Sequence, residues 1–99
     1  MEGESMIQER KPYTLTAKEE SRVPTRTDSY WVTREITAES DHKNFRRYDI
    51  RSDRLYIGNY NYYNRRMTAD EAHDLGKALM EISEMKADDI IRRELRNND

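Results

Sequence analysis

The chain has 99 residues, of which 38% are charged and 34% hydrophobic, with a formal net charge of −2 and no cysteine. This length allows one small domain with a thin core, and the absence of cysteine excludes disulfides and thiolate metal sites. No apolar run is long enough to span a bilayer and the N-terminus lacks a secretory signal, so we expect a cytoplasmic protein with no membrane contact.

Charge is unevenly distributed along the chain. Residues 29–66 carry eight basic and five acidic side chains, whereas residues 67–99 carry five basic and nine acidic ones. A basic middle segment favours an anionic partner. Its excess of positive charge is nevertheless much smaller than that of a dedicated nucleic-acid-binding domain.

The first part of the chain is poor in large apolar side chains and contains both prolines. Residues 1–28 are therefore predicted to form a flexible N-terminal arm. Within it, the stretch PYTLTA at 12–17 alternates apolar residues with threonines, so it is either an edge strand or part of the arm. Residues 29–99 are predicted to form a single domain.

Three stretches predict the strands of an antiparallel meander. YWVTREIT at 30–37 alternates apolar and polar residues and is rich in the types that favour strands. FRRYDIR at 45–51 and RLYIGNYNYY at 54–63 follow, and a two-residue loop at Ser52 and Asp53 pairs them as a hairpin. The apolar face of this hairpin, expected to receive a helix, holds Tyr48, Ile50, Leu55 and Ile57.

A helix follows the strands. Thr68 and Glu71 have the spacing of a capping box, which predicts a helix that begins at Ala69. Apolar residues then recur with a period of 3.6 and resume after KADD at 86–89, so the helix either continues or breaks near Ala87.

The fold class predicted from this pattern is α+β, with an antiparallel meander of three to four strands and one long C-terminal helix packed on one sheet face. Such a helix extends beyond the sheet. Its apolar overhang is either the seam of a homodimer or a frayed or bent-back end. The residues of the predicted seam are Ile90, Ile91 and Leu95.

The stretch YIGNYNYYNRR at 56–66 concentrates tyrosines and arginines. Because successive side chains of a strand point to opposite faces, Tyr56 and Tyr60 are directed away from the face that holds Leu55 and Ile57. Outward tyrosines either cover a bare sheet face, pack against the arm or a second subunit, stack on nucleic-acid bases or contact a protein partner. This surface is the candidate binding site.

Three strings resemble small bacterial members of the positive-cofactor-four family of single-stranded DNA-binding transcription coactivators. They are Trp31 with Arg34-Glu35, YDIR at 48–51 and MTADEAHDLGKAL at 67–79, and the resemblance covers residues 30–82. It implies a curved antiparallel sheet, dimerisation through the helix, and a single strand held against the outer sheet face. The residues that match the family's motif are Trp31, Arg34, Tyr48 and Arg51. The family's glycine- and lysine-rich approach to the helix is replaced here by NYYNRR.

Two functions from different classes are compatible with this surface. The first is binding of single-stranded nucleic acid, with rings that stack on bases and arginines that neutralise phosphates. The second is a small protein–protein adaptor or inhibitor, of the type that phages and other mobile elements encode. The residues assigned to the surface in either case are Trp31, Arg34, Arg46, Arg47, Arg51, Tyr56, Tyr60, Tyr62, Arg65 and Arg66.

No constellation of catalytic residues is recognisable. The only histidines are His42, in a predicted loop, and His73, on the polar side of the predicted helix. A metal site needs three or four convergent ligands, and the three scattered glycines form no phosphate-binding loop. We therefore expect no enzymatic activity, no metal and no cofactor.

Overall fold

The structure is a computed structural model that describes residues 11–25, 28–59 and 66–98. It contains strands β1 (Tyr13–Pro24), β2 (Ser29–Ser40) and β3 (Asp49–Asn59), followed by helices α1 (Ala69–Ser83) and α2 (Ala87–Asn97). The strands form one antiparallel sheet in the order β1-β2-β3. The predicted α+β class and antiparallel sheet are confirmed, but the predicted strands at 45–51 and 54–63 correspond to the single strand β3 within the described residues.

Strand β1 occupies most of the described part of the predicted arm. It pairs with β2 over its whole length, from Tyr13 opposite Ser40 to Pro24 opposite Ser29. The predicted edge strand at 12–17 is therefore present but longer, and the flexible arm is wrong for residues 13–24. The charged stretch KEESR at 18–22 interrupts the apolar alternation, because Glu19 occupies an inner-face position. The pattern therefore did not predict the second half of the strand. Residues 1–10 lie outside the described part of the chain.

The predicted hairpin loop at Ser52 and Asp53 is wrong. Strand β3 runs through both residues without turning, and each pairs with a residue of β2. Asp53 is tolerated in the strand because its carboxylate accepts two hydrogen bonds from Arg34 of β2, at 2.9 and 2.8 Å. A side-chain pair thus stabilises a strand at a position where Ser-Asp usually favours a turn.

Residues 41–48 connect β2 to β3 and place an aromatic ring in the core. Phe45 has a φ of 52°, the one positive φ of a non-glycine residue in the described ranges. This backbone conformation costs about 1–2 kcal/mol for such a residue, and burial of the ring offsets the cost. The Ser40 hydroxyl holds the connection by donating to the Arg47 carbonyl and accepting from the His42 N–H.

Both helices pack on the same face of β1 and β2, here called the inner face, and they form two apolar clusters. The α1 cluster contains the buried residues Val23, Tyr30, Val32, Leu75, Ala78 and Ile82. The α2 cluster contains the buried residues Ala17, Ile36, Ala38, Phe45, Ile90 and Ile91. Met85, between the helices, contacts both clusters.

Helix α1 begins as predicted, at a complete capping box. The Glu71 N–H donates to the Thr68 hydroxyl at 3.1 Å, and the Thr68 N–H donates to the Glu71 carboxylate at 3.0 Å. The connection between β1 and β2 is bound to the same carboxylate, because the Thr25 hydroxyl donates to Glu71 at 2.9 Å. The start of the helix is thereby attached to one end of the sheet.

The single long helix of the prediction is instead two helices, separated at residues 84–86. The second helix folds back onto the sheet. Ile90 and Ile91 are 2% and 0% exposed, and Leu95 packs against their cluster. Ile90 and Ile91 therefore lie in the core of the chain itself, with the partly buried Leu95 packed against it, so these residues form the bent-back end of the second alternative and not the exposed apolar overhang that the predicted seam requires.

Candidate binding surface

Strand β3 is the least covered element of the fold. It lies at an edge of the sheet with β2 as its neighbour, and both helices pack over β1 and β2. Ile50, Leu55 and Ile57 were predicted to be core residues, but they are 43%, 37% and 47% exposed. The predicted core face is therefore an open apolar surface.

The register of the sheet places the exposed side chains of β3 on two faces. Leu55 and Ile57 lie opposite Arg34 and Val32 on the inner face, beside the helices. Tyr56 lies on the other face, here called the outer face, and is 47% exposed. The predicted outward direction of Tyr56 is confirmed.

The outer face carries the two described rings of the predicted site. Three rows of opposed residues cross the sheet there: Arg22, Trp31 and Gly58; Glu20, Thr33 and Tyr56; Lys18, Glu35 and Arg54. Trp31 lies over Gly58, where a Cβ atom would be 3.9 Å from its Cε3 atom. Trp31 and Tyr56 therefore lie in adjacent rows at the β3 side of the sheet.

The outer face is balanced in charge. Lys18 is 3.7 Å from Glu35, and Arg51, the extra residue at a register shift in β3, donates to Glu39 at 2.9 Å. The basic residues of this face are Lys18, Arg22, Arg51 and Arg54, and the acidic ones are Glu20, Glu35, Glu39 and Asp49. Among the described residues of this face, basic and acidic side chains are therefore equal in number.

Arg34 is not on the exposed surface to which the sequence assigned it. It is 6% exposed and lies on the inner face. Besides its two bonds to Asp53, its Nη1 atom donates to the carbonyls of Ile82 at 2.9 Å and Met85 at 2.7 Å. Arg34 thus satisfies carbonyls at the end of α1, which has no basic residue in its last turn.

The same contacts shift two pKa values in opposite directions. The hydrogen bonds between the two side chains raise the pKa of Arg34 and lower that of Asp53. Burial opposes the shift at each residue but is the smaller effect. Both groups are therefore charged at neutral pH, and they join β3 to the junction of the helices.

Arg46, Arg47 and Arg51 lie away from the rings, at the opposite end of β3. They line an open cleft of about 750 Å³ between the 41–48 connection and α2. The charged groups of the cleft are four arginines and four carboxylates: Arg46, Arg47, Arg51, Arg92, Glu39, Asp41, Asp49 and Asp88. The cleft is polar and balanced in charge.

Tyr48 lies on the wall of this cleft and donates to the Asp88 carboxylate. Burial and, second, this hydrogen bond raise the pKa of Tyr48 to about 12. Its ring is also 6.5 Å from that of Phe45. Tyr48 therefore connects the 41–48 segment to α2 and is not directed toward Trp31 and Tyr56.

The remaining residues of the predicted site are placed only in part. Tyr60, Tyr62 and Arg65 lie outside the described residues, and Arg66 is exposed shortly before α1. His73 is exposed beside Asp74, as predicted. Within residues 11–25, 28–59 and 66–98, no group of three or more His, Asp or Glu side chains is arranged to hold a metal ion. No described helix is long and apolar enough to cross a membrane.

Apolar alternation within β3 predicts burial of Ile50, Leu55 and Ile57, because alternation by itself does not distinguish a strand covered by a helix from an uncovered one. The signal that distinguishes them lies in β1, where Leu15, Ala17 and Val23 supply a second apolar strand for the helices to cover. Comparison with protein-family models, with curated proteins and with solved structures gave no match to this chain.

Proposed function

We propose that this chain is a non-enzymatic protein-interaction module that binds an extended segment of a protein partner along β3. The observation that carries the proposal is the exposure of four large side chains, Ile50, Leu55, Tyr56 and Ile57, on an edge strand. An added strand gains backbone hydrogen bonds from the edge and specificity from such side chains. The expectation of a cytoplasmic location belongs to the same proposal.

The two edges of the sheet differ in a way that favours β3. Strand β1 has prolines at both ends, Pro12 just before it and Pro24 as its last residue. Its inner face is covered by the helices, and Lys18, Glu20 and Arg22 are exposed on its outer face. Prolines, charges and covering helices are the features that prevent edge pairing. Strand β3 contains no proline, and no helix of the described residues covers it.

Charge favours a protein partner over a nucleic acid. Binding to a phosphate backbone needs an excess of basic side chains, whereas in the described part of the chain the outer face and the cleft each have equal numbers of basic and acidic groups. Single-stranded nucleic acid is the second candidate, because Trp31 and Tyr56 lie in adjacent rows with Arg22 and Arg54. The resemblance to the positive-cofactor-four family predicts this second function.

In-cell photo-crosslinking tests the proposal with a matched control. A benzoylphenylalanine is introduced at Tyr56 or at Tyr13, two tyrosines that are 47% and 48% exposed on opposite edges of the sheet. We expect protein adducts from position 56 and none from position 13, and we expect Ile57→Lys to abolish them. Equal adducts from both positions, or adducts that persist with Ile57→Lys, would contradict docking on β3.

A labelled oligothymidine tests the second candidate. Fluorescence anisotropy is measured at about 50 and 200 mM salt, since affinity for phosphates falls steeply over this range. We expect no binding that depends on salt. Tight, salt-sensitive binding that Arg54→Glu weakens would assign the outer face to nucleic acid and contradict the proposed protein partner.

A further inference from the structure

We infer that the segment bound by β3 is β3 of a second copy of this chain, in an antiparallel pairing whose twofold axis passes between the two Tyr56 residues. The result is a continuous six-stranded sheet. The inference rests on the proposed function and names the partner of that same surface. It places the dimer interface at the β3 edge of the sheet, whereas the seam predicted from the sequence lies on the C-terminal helix.

Symmetry restricts how such a pair can form. A twofold axis perpendicular to the sheet reverses the strand direction and keeps each side chain on its own face. With the axis at Tyr56, Leu55 lies opposite Ile57 of the second copy on the inner face. Asp53 then lies opposite Asn59 of the second copy. The paired segment, residues 53–59, lies beyond the register shift between Thr37 and Ala38 and is regular throughout.

Neighbouring registers oppose unfavourable groups. An axis at Asp53 or Arg54 places two identical charges directly opposite each other, which is destabilising. An axis at Leu55 places Asp53 opposite Ile57, and an axis at Ile57 places Leu55 opposite Asn59. Only the axis at Tyr56 matches Leu55 with Ile57 and opposes no like charges.

The second copy also completes the outer face. With the axis at Tyr56, Arg54 of one copy lies opposite Gly58 of the other. Trp31 lies over that glycine, so the guanidinium comes within range of the indole ring of the second copy, an arrangement that favours a cation–π contact. Two Tyr56 rings lie between these two Arg54–Trp31 pairs. The aromatic surface of one copy is therefore half of a symmetric surface.

The inner face allows the same approach. Both helices pack over β1 and β2, so the helices of the two copies stand on the outer parts of the combined sheet. Leu55 and Ile57 of the two copies then form an apolar strip between them. No described helix lies over the edge where the second strand is added.

Single-cysteine crosslinking tests the register, since the chain has no cysteine of its own. Opposed residues of antiparallel strands have Cα atoms about 4.5–5.5 Å apart, within the range of a disulfide. We expect Tyr56→Cys to form a disulfide dimer upon mild oxidation, and Tyr13→Cys, with equal exposure on β1, to remain monomeric. Arg54→Cys should not crosslink to itself, since two copies of position 54 are about 13 Å apart along the strand. It should crosslink to Gly58→Cys in a mixture.

Solution mass tests the interface itself. Sedimentation velocity of the unmodified chain should show a monomer–dimer equilibrium between 5 and 200 µM, taken as roughly the range of a small interface. Ile57→Lys should weaken it about tenfold or more, because a charge on an edge strand opposes pairing. Met80→Lys, at a position on α1 that is 62% exposed, is the matched control and should leave the equilibrium unchanged.

The crosslinking and mass measurements distinguish failure of the second-copy inference from failure of the proposed function. A monomer at all these concentrations, a dimer unaffected by Ile57→Lys, or equal crosslinking from positions 13 and 56 would overturn the inference. The proposed function is judged separately. If the chain is monomeric but position 56 still forms Ile57-dependent adducts with a different protein in cells, the second-copy inference fails and docking on β3 stands.

Discussion

The pair formed by Arg34 and Asp53 allows a quantitative prediction. We expect Asp53→Asn to lower the free energy of unfolding by about 2 kcal/mol. Breaking a buried ion pair costs about 3–5 kcal/mol, but the side chain of Asp53 is 33% exposed and water replaces part of what is lost. The Arg34 side chain, 7% exposed, keeps its bonds to the carbonyls of Ile82 and Met85. These opposing effects place the loss below the range for a fully buried pair.

The assay is urea unfolding at pH 7, followed by the fluorescence of Trp31. The control is Glu39→Gln, which removes a partner of Arg51. That pair has the same nitrogen–oxygen distance to within 0.1 Å, 2.9 against 2.8 Å, but the Arg51 side chain is 58% exposed. An exposed pair contributes about 0.5 kcal/mol or less. The comparison therefore separates the effect of burial from that of the ion pair alone.

A double-mutant cycle with Arg34→Met isolates the interaction between the two side chains. We expect a coupling energy of about 1 kcal/mol or more, since the groups are in direct contact. The reasoning is refuted if Asp53→Asn unfolds at the same urea concentration as the parent, or if the coupling energy between positions 34 and 53 is zero. The m-value should not change, because the same surface unfolds in each variant.

The pair also predicts how stability depends on pH. The pKa of Asp53 is lowered in the folded state from its ordinary value of 3.8. Its contribution is therefore fully present above that value and is lost as the pH falls through the folded-state pKa. The difference in stability between the parent and Asp53→Asn should be constant near neutral pH and should shrink below about pH 4.

Three further predictions concern the rest of the fold. Thr68→Ala removes the hydroxyl that accepts from the Glu71 N–H and should cost about 1 kcal/mol in urea unfolding; a loss of zero would mean that the capping box is not stabilising. Ile91→Ala should cost about 2–4 kcal/mol, because the side chain is fully buried, and it should not change the oligomeric state; weaker association without lost stability would restore the helix seam. The pKa of Tyr48 is raised from 10.0 to about 12, so its contribution is present below pH 10 and is lost as the pH rises through 12. Stability should therefore fall less in Tyr48→Phe than in the parent across that interval, and parallel curves would disprove the role of the bond to Asp88.

Local rules were sufficient where one short segment determines the structure. The capping box needs only Thr68 and Glu71, and α1 begins at the predicted residue. Within the strand at 30–37, alternation places Tyr30, Val32 and Ile36 on one face, and all three are buried there; Arg34, which shares that face, is the position that alternation alone did not predict. The direction of Tyr56 followed from alternation alone, because a strand side chain next to Leu55 must point to the other face.

Local rules failed where a distant partner determines the outcome. Ser52 and Asp53 favour a turn by themselves, and only Arg34, 19 residues earlier, makes a strand favourable there. Glu19 breaks the apolar alternation of β1, but it forms an ion pair with Arg93 of α2. The exposure of Leu55 and Ile57 depends on which two strands the helices cover, and no pattern within β3 contains that information.

The charged residues of the inner face separate the core into two parts. Arg34 lies opposite Glu19 in β1, between the row of Ile36 and the row of Val32, which belong to the α2 and α1 clusters. Met85 is the side chain that contacts both clusters. The two halves can therefore loosen in separate steps, with different amide exchange rates in α1 and α2. They can also accept substitutions one half at a time, since Met85, which packs against both clusters, is a flexible side chain that adapts to a change of volume in either one.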